Sequence, residues 1–550
     1  MHTKNNLPRV AYFCMEYGLD ENFPIYSGGL GILAGDYLKA AHDHNLPLVG
    51  IGILWRQDYT EQYIDKDGYP YDVFAKKDFD FLKDTGVIVT VNVRNETVPC
   101  RVWLVDHYNN AALYLLDADV PGSHHEWITQ RLYWGGSDHR IAQEIILGVG
   151  GIRALRALNL EVDIYHFNES HSLFAGLELF REKMEQGLSF EQAWDETRKQ
   201  VVFTTHTPVE AGNEKHPHNI LQEMGAYNGL TYEQMFRLGG DPFNMTQANL
   251  RISYLANAVS QLHGETTRQM WSETHDKAPI TEVTNGVHVP TWQDPAIRHA
   301  YDRNEDLWQP HLQAKKQLIE FIHQRTGKVK NPNALIVGFA RRAAAYKRNQ
   351  LIFGDMCVID PLLKEGKLQL VFSGKAHPDD YIGKDVIKDL VSMDREYEDS
   401  IVFLENYDMK IARYMVRGCD VWLNNPRRPL EASGTSGMKA AMNGVLNLSI
   451  VDGWVCEGPQ HGVSGWLLEC HEDHGHLNQD ERDLQALYRI LLTEVIPVYY
   501  EDPARWKKMM RASIEMSQWK FSSERMIHDY FNNIYTQAPV LTEHQSSGLL

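Results

Sequence analysis

The chain has 550 residues, too many for one ordinary core, so two domains are expected. Its formal net charge of −19 argues against nucleic acid or an anionic membrane as the main partner. Hydrophobic content of 43% without a run long enough to span a bilayer, and an N-terminus lacking an apolar signal core, place it among soluble, cytoplasmic proteins. Its six scattered cysteines form no CxxC and read as free thiols in a reducing compartment.

The apolar run Pro8–Met15 predicts a first strand, ending at Glu16. It leads into Ile25–Leu38, a glycine loop opening a helix, where Gly28, Gly29 and Gly31 let backbone pass close to a ligand. Leu46–Leu54 reads as a buried parallel strand. From Gly86 to Val120 three alternating segments predict an antiparallel insertion. Helix returns at about His139–Leu158. Val162–His171 and Val201–Glu210 read as strands ending in polar residues, where open α/β sheets bind ligands. His206 stands at the end of the second. Thr281–Trp292 reads as the last strand of the first domain and a hinge, stiffened by Pro290.

The rhythm then repeats. Ala334–Ala340, Leu368–Phe372, Ile401–Leu404, Cys419–Leu423 and Val445–Val451 predict strands separated by helices, hence a parallel sheet covered on both faces. Pro503–Tyr535 reads as helix, and Ala538–Leu550 as a frayed end. The fold class expected is α/β: two doubly wound, Rossmann-like domains facing across a cleft. The boundaries are 1–284, with the β insertion near 86–120, then 285–510, then a C-terminal helix over 511–550 that crosses back to the first domain.

Two stretches of the second half carry chemistry. Arg341–Arg348, RRAAAYKR, sets Arg341, Arg342, Lys347 and Arg348 directly after a strand; four cations in eight residues of an acidic protein suit two adjacent dianions. Pro429–Gly444 places a loop of small residues at the start of a helix near Ser436, preceded by Glu431 and followed by Lys439. A lysine beside a phosphate cradle serves as a salt-bridge partner or as a Schiff-base amine for a cofactor such as pyridoxal phosphate.

EASGTSGMK (431–439) resembles the pyridoxal-phosphate lysine motif of the α-glucan phosphorylases, the glycogen, starch and maltodextrin phosphorylases. RRAAAYKR resembles that family's phosphate-binding segment, and SGGLG, NESH, TTHTPVEA, TNGVHVPTW, SGKAHP and FLENYD follow in the family's order, from about Val10 to Gly453. The resemblance implies a GT-B type glycosyltransferase fold. It also implies reversible phosphorolysis of the non-reducing end of an α-1,4-glucan by inorganic phosphate, giving α-glucose 1-phosphate with retention.

Residue by residue, it implies that Lys439 holds pyridoxal 5'-phosphate. Thr435, Ser436, Gly437, Lys347 and Arg341 would bind the cofactor phosphate, with Trp292 and Tyr407 beside the cofactor. Arg342 would bind the substrate phosphate near Gly28, Gly29 and Leu30. Glu431, Ser433, Gly434 and Glu169 would grip glucosyl hydroxyls. Asn285 and His206 would hold the 6-hydroxyl, His206 also stabilising charge that develops on the sugar. No metal is implied, and a homo-oligomer is compatible. Against the family pattern, Ser436-Gly437 replaces Gly-Asn, Asp408 stands where a cation is usual, Ala344 and Ala345 replace a polar pair, and Glu169 replaces Asp. The chain begins almost at its first strand, so the N-terminal phosphorylation and nucleotide-effector segment of the large members, and control through it, are not expected. A nucleotide-sugar glucan synthase of the same fold, which needs no Lys439, and a non-catalytic glucan-binding relative are the alternatives.

Overall fold

The computed structural model describes residues 7–469 and 478–541; Cys470 and the tail 542–550 lie outside the described residues. The chain divides into two units. One comprises residues 1–59, 74–284 and 523–550, the other Thr60–Val73 and Asn285–Ser522.

In the second unit the apolar runs become a six-stranded sheet ordered Ile401–Leu404, Leu368–Ser373, Leu335–Ala340, Val421–Asn424, Leu446–Ile450, Gly465–Leu468. Every pairing is parallel. Nearly all of these strand residues are buried, because helices cover both faces and near-continuous Val, Ile and Leu is what such strands require. In chain order the sheet reads 3-2-1-4-5-6, the doubly wound order whose direction reverses between Leu335–Ala340 and Val421–Asn424. Ligand sites of such sheets lie off the carboxyl ends at that reversal. The two segments that leave these ends are 341–348 and 425–436, the ones singled out for their cations and their glycines.

The first unit holds a nine-stranded sheet: Ile280–Glu282, Leu255–Ala258, Val201–Thr204, Ile164–Asn168, Val10–Phe13, Leu48–Ile53, Leu113–Asp117, Glu96–Val105, Lys83–Val93. Its direction reverses between Ile164–Asn168 and Val10–Phe13, so the loops after Phe13 and after Asn168 flank its own switch point. The β-rich stretch near 86–120 extends this sheet. Only its first two strands are antiparallel throughout; Leu113–Asp117 runs parallel to Leu48–Ile53.

Three features depart from the expected organisation. The short hairpin Glu61–Ile64 with Pro70–Val73 groups with the second unit, where Lys384 pairs with Asp72 at 2.6 Å and Gln62 donates to the carbonyl of Ala376 at 3.2 Å. The sheet of that unit gains Gly465–Leu468 as an edge strand. The C-terminal helical stretch is two helices, Pro503–Ser517 and Ser523–Asn533, and the units divide after Ser522 rather than at 510. Ser523–Asn533 and the turn beyond it are fixed within the first unit by a buried polar chain. His166 meets the Tyr535 hydroxyl at 2.6 Å and Thr204 at 2.7 Å, and the Asn257 amide donates to Tyr530 at 2.9 Å.

Candidate active site

At the switch point of the second unit, the Glu431 carboxylate takes ion pairs from both Arg341 and Lys347. Their side chains are almost out of contact with water, at 11%, 7% and 9% exposure respectively. Burial alone would push the Glu431 carboxyl up, but the two cations outweigh it and hold the group at about 2. Two cations share one carboxylate, so the cluster carries a net positive charge. One guanidinium nitrogen of Arg341, Nη1, is buried without a hydrogen-bond partner among the described residues. A buried donor left unpaired is costly, and an anion arriving there would satisfy it.

Lys439 lies on the short helix Ser436–Ala441, buried, with Nζ 3.7 Å from the centre of the fully buried Trp292 ring. Trp292 is fixed by its carbonyl, which accepts from Asn443 at 3.1 Å and from Arg417 at 3.1 Å. Small residues in the preceding loop have steric causes. A β-carbon on Gly437 would fall 2.5 Å from Asn447 Oδ1, and Gly434 has φ of +77°, open to glycine at little cost. Ser436 Oγ accepts from the Trp422 indole at 3.1 Å. Ser433 Oγ is buried and unpartnered. Tyr407 is half-buried near Arg341, and burial pushes its hydroxyl up, with neighbouring Asp408 adding to the rise. Asn285 is buried in the same unit.

The loop is gripped from the next strand end. Asp452 is buried; its carboxylate accepts the backbone N–H of Glu431 at 3.0 Å and of Gly453 at 2.9 Å. Trp454 N–H donates to the Ser433 carbonyl at 2.9 Å, and Gly453, at φ +55°, leaves that carbonyl its room: a β-carbon would lie 2.2 Å from it. Burial raises the Asp452 carboxyl to about 7, against the lowering pull of the two backbone donors.

In the first unit, buried Glu16 braces the glycine loop. Its carboxylate accepts from Ser27 N–H at 2.6 Å, Gly28 N–H at 3.1 Å and the Tyr133 hydroxyl at 2.8 Å. The helix Gly29–Asp43 starts there. Gly31 and Gly35 are required by close approach, but a β-carbon at Gly28 or Gly29 would meet nothing within 4 Å. Their smallness therefore answers to no neighbour among the described residues. Leu30 follows, half-buried.

Across the reversal, Glu169 is held at φ +76°. Its carboxylate accepts from His206 N–H at 2.7 Å and Ser170 N–H at 3.1 Å. Burial outweighs those donors and lifts the group to about 7. His206 Nε2 donates to Asn168 Oδ1 at 2.7 Å, and burial, with the nearby His263 adding, drives its imidazole down to about 3. The ring is therefore neutral and offers Nδ1 as an acceptor.

Residues 295–460 match the carbohydrate phosphorylase family. The chain is 41% identical to the maltodextrin phosphorylase of Thermococcus litoralis, over 96% of this chain and 70% of that one. It is 36% identical to the glycogen phosphorylase of Aquifex aeolicus, over 96% and 86%, and 37% identical to that of Mycobacterium bovis, over 96% and 71%. The chain belongs to the carbohydrate phosphorylase family.

Seen in that family, some of the expected residues converge and others do not. Arg341, Lys347, Glu431, Ser433 and Gly434 come together, and Lys439 lies against Trp292. Arg342 is exposed. Arg348 does not join the cationic group: its guanidinium donates to the carbonyls of Asn425 and Pro426, both at 2.8 Å, and pairs with Asp480 and Asp483. It holds the start of the loop in place. Asp408, the departure from the usual cation, caps the helix Met409–Gly418 by accepting from Ile411 N–H at 2.7 Å. Sequence reasoning passed over Asp452, Asn168 and the bracing role of Glu16. The signal available was the same for each: a polar residue where a buried strand ends.

Proposed function

We propose that the chain is an α-1,4-glucan phosphorylase that uses pyridoxal 5'-phosphate. The observation that supports it most is the buried Lys439 amine over the Trp292 ring, in the same unit as a net-positive Arg341–Glu431–Lys347 cluster at a switch point. The residues fit the cofactor: an amine for its aldehyde, an aromatic wall, and an unpaired buried guanidinium nitrogen for its phosphate. When bound, the group would supply a phosphate dianion that the cations at this site would hold.

The protein's own residues then do the following. Glu431, at about 2, stays ionised at neutral pH and can accept hydrogen bonds from sugar hydroxyls but cannot donate a proton. Asp452 has both oxygens committed to backbone N–H groups. Neither forms the acid–base pair of carboxylates on which most glycoside hydrolases rely. In this reading inorganic phosphate, bound by Arg342, protonates the departing glycosidic oxygen and attacks the anomeric carbon from the retained face, while Arg341 and Lys347 face the cofactor phosphate. Gly28, Gly29 and Leu30 admit the phosphate. Glu169, Asn285 and His206 orient the glucosyl hydroxyls, His206 accepting through Nδ1. This reading takes the two units as the halves of a GT-B glycosyltransferase acting on one glucan end, where exclusion of water favours phosphate over hydrolysis.

Borohydride reduction of cofactor-supplemented protein, followed by peptide mapping, tests the reading. A phosphopyridoxyl adduct on Lys439, with glucose 1-phosphate released from maltodextrin and phosphate, is expected. Chain extension from a nucleotide sugar, with Lys439 unmodified in folded protein, would sink it.

A further inference from the structure

Outside the residues assigned to the reaction, three groups of imidazoles and carboxylates among the described residues of the first unit bring ligand atoms within 4.8 Å of one another. In one, His44, Glu524 and His528, His44 Nε2 stands 3.5 Å from Glu524 Oε1, looser than in the other group built on two histidines. The remaining two differ in one decisive respect. The first, Glu144, His171 and Glu214, already contains a cation. Arg140 Nε lies 3.4 Å from Glu144 and 3.2 Å from Glu214, and its Nη2 lies 2.9 Å from His171 Nε2. A metal ion there would have to displace a guanidinium.

The second, Glu96, His124 and His125, contains no cation. His125 Nε2 lies 2.9 Å and His124 Nε2 3.2 Å from the same oxygen of Glu96, Oε2. The two rings sit side by side, centroids 4.2 Å apart and tilted by 30°, with the same edge turned to that oxygen. Bonds of about 2.0–2.1 Å from one ion to imidazole nitrogen and carboxylate oxygen put ligand atoms roughly 2.8–3.0 Å apart at 90° and roughly 3.3–3.4 Å apart at the tetrahedral angle, an interval of roughly 2.8–3.4 Å. The observed separations fall in that interval before any ion is added.

The site is also supported from behind. His125 is buried, and its Nδ1 is turned to Ser123 Oγ at 3.0 Å, which leaves Nε2 to face Glu96. Ser123 is itself fixed in a turn, donating its N–H to the Val120 carbonyl at 2.9 Å. An outer hydrogen bond that orients a ligating imidazole is the usual accompaniment of a metal site. On the other side, His124 and Glu96 are 80% and 58% exposed, so an ion can enter and keep water on its remaining positions. Glu96 begins the strand Glu96–Val105, and the histidines precede the turn Glu126–Ile128. An ion would tie the hairpin end to a loop that follows it in the chain.

We propose that Glu96, His124 and His125 form an open, three-ligand site for a divalent late first-row transition ion, zinc being the type case. Two imidazoles and one carboxylate suit zinc, cobalt, nickel and copper and do not suit calcium or magnesium, which take oxygen ligands.

The test titrates the untagged, chelator-treated full chain with cobalt(II), followed by its visible absorption, and then displaces the cobalt with zinc. One saturating equivalent is expected. His124→Ala and Glu96→Gln, both at exposed positions, should each abolish the saturable band. Ser123→Ala should weaken binding roughly 10- to 100-fold. His323→Gln, remote on the helix Trp308–Thr326, should change nothing. Absence of a saturable band in the wild type, or its persistence in the Glu96→Gln/His124→Ala double variant, overturns the proposal. None of these residues enters the proposed phosphorolysis, so the two ideas stand or fall separately.

Discussion

Asp452 accepts the backbone N–H of Glu431 at 3.0 Å, and so the end of one buried strand sets the position of the carboxylate on which Arg341 and Lys347 converge. The Asp452–Trp454 turn grips the loop twice, at Glu431 N–H and at the Ser433 carbonyl. The glycine between leaves no side chain to force the strand and the loop apart. Glu431 and Asp452 shift in opposite directions. One is buried against two cations; the other is buried with two backbone donors and the Glu431 charge nearby.

The Asp452 carboxyl is raised from 3.8 to about 7, so between those values the folded chain holds a proton that the unfolded chain has released. Its contribution to stability therefore falls as pH rises through that window, by an amount on the order of 4 kcal/mol. Asp452→Asn cannot titrate. The stability difference, wild type minus variant, should decline between about pH 4 and pH 7 and level off above. Denaturant midpoints of the second unit at pH 4.5 and 7.5 measure it. An unchanged difference would show that Asp452 is ionised throughout.

Glu431 behaves oppositely. Its folded value of about 2 lies below the ordinary 4.5, so its stabilisation is complete above 4.5 and disappears as pH falls toward 2. Glu431→Gln leaves Arg341 and Lys347 facing each other without a counter-charge, a loss of about 3–5 kcal/mol at neutral pH. Phosphate should restore more of that stability in the variant than it adds to the wild type, because the anion replaces the missing charge. Thermal melts with and without phosphate decide this. In turnover, losing a charged acceptor for a sugar hydroxyl should lower kcat/KM roughly 10- to 150-fold.

Much of this fold is legible in the chain because long apolar runs leave little choice. Leu335–Ala340 and Val421–Asn424 are buried on both faces and can only be interior strands. The hairpin Glu61–Ile64 with Pro70–Val73 is short and polar, and nothing local says which unit it joins. Leu113–Asp117 follows two antiparallel strands and alternates as they do, yet pairs in parallel with Leu48–Ile53, a choice made by topology. At the site, residue types announced the cations of 341–348 but not their directions. Arg348 turns to Asp480 and Asp483, whose positions far along the chain no spacing rule reveals. Asp452 is marked only as a polar residue where a buried strand ends; its acceptor role depends on a loop that precedes it by a whole helix and strand.

Lys439→Ala should leave the helix Ser436–Ala441 intact, since alanine is a strong helix former. The variant should fold, take up no covalent cofactor and lose phosphorolysis. Trp292→Phe keeps an aromatic wall but removes the larger ring, so cofactor binding should weaken while the borohydride adduct still forms. Cofactor absorbance titrations on both variants check this. A Lys439→Ala protein that retains activity with added pyridoxal phosphate would remove the lysine from the reaction.

The glycines divide into those the protein needs and those a ligand would need. At Gly437 a β-carbon would meet Asn447 Oδ1 at 2.5 Å, inside a network where the Asn447 amide also donates to the Gly437 carbonyl at 3.0 Å. Gly437→Ala should therefore cost about 1–3 kcal/mol, through displacement of a buried, hydrogen-bonded neighbour. At Gly28, φ of −165° is extended backbone that any residue adopts, and open space surrounds both Gly28 and Gly29. Alanine at either position should leave the melting temperature within about 2 °C of the wild type, since surface changes away from contacts stay within about 0.5 kcal/mol. Turnover with phosphate should nonetheless fall at least about tenfold, because the methyl group would occupy the approach to the N–H groups at the start of the helix Gly29–Asp43, the Gly28 N–H itself being given to Glu16. Melting and phosphorolysis measured on the same samples separate the two kinds of glycine. If Gly28→Ala and Gly29→Ala are both as active as the wild type, this loop does not touch the phosphate.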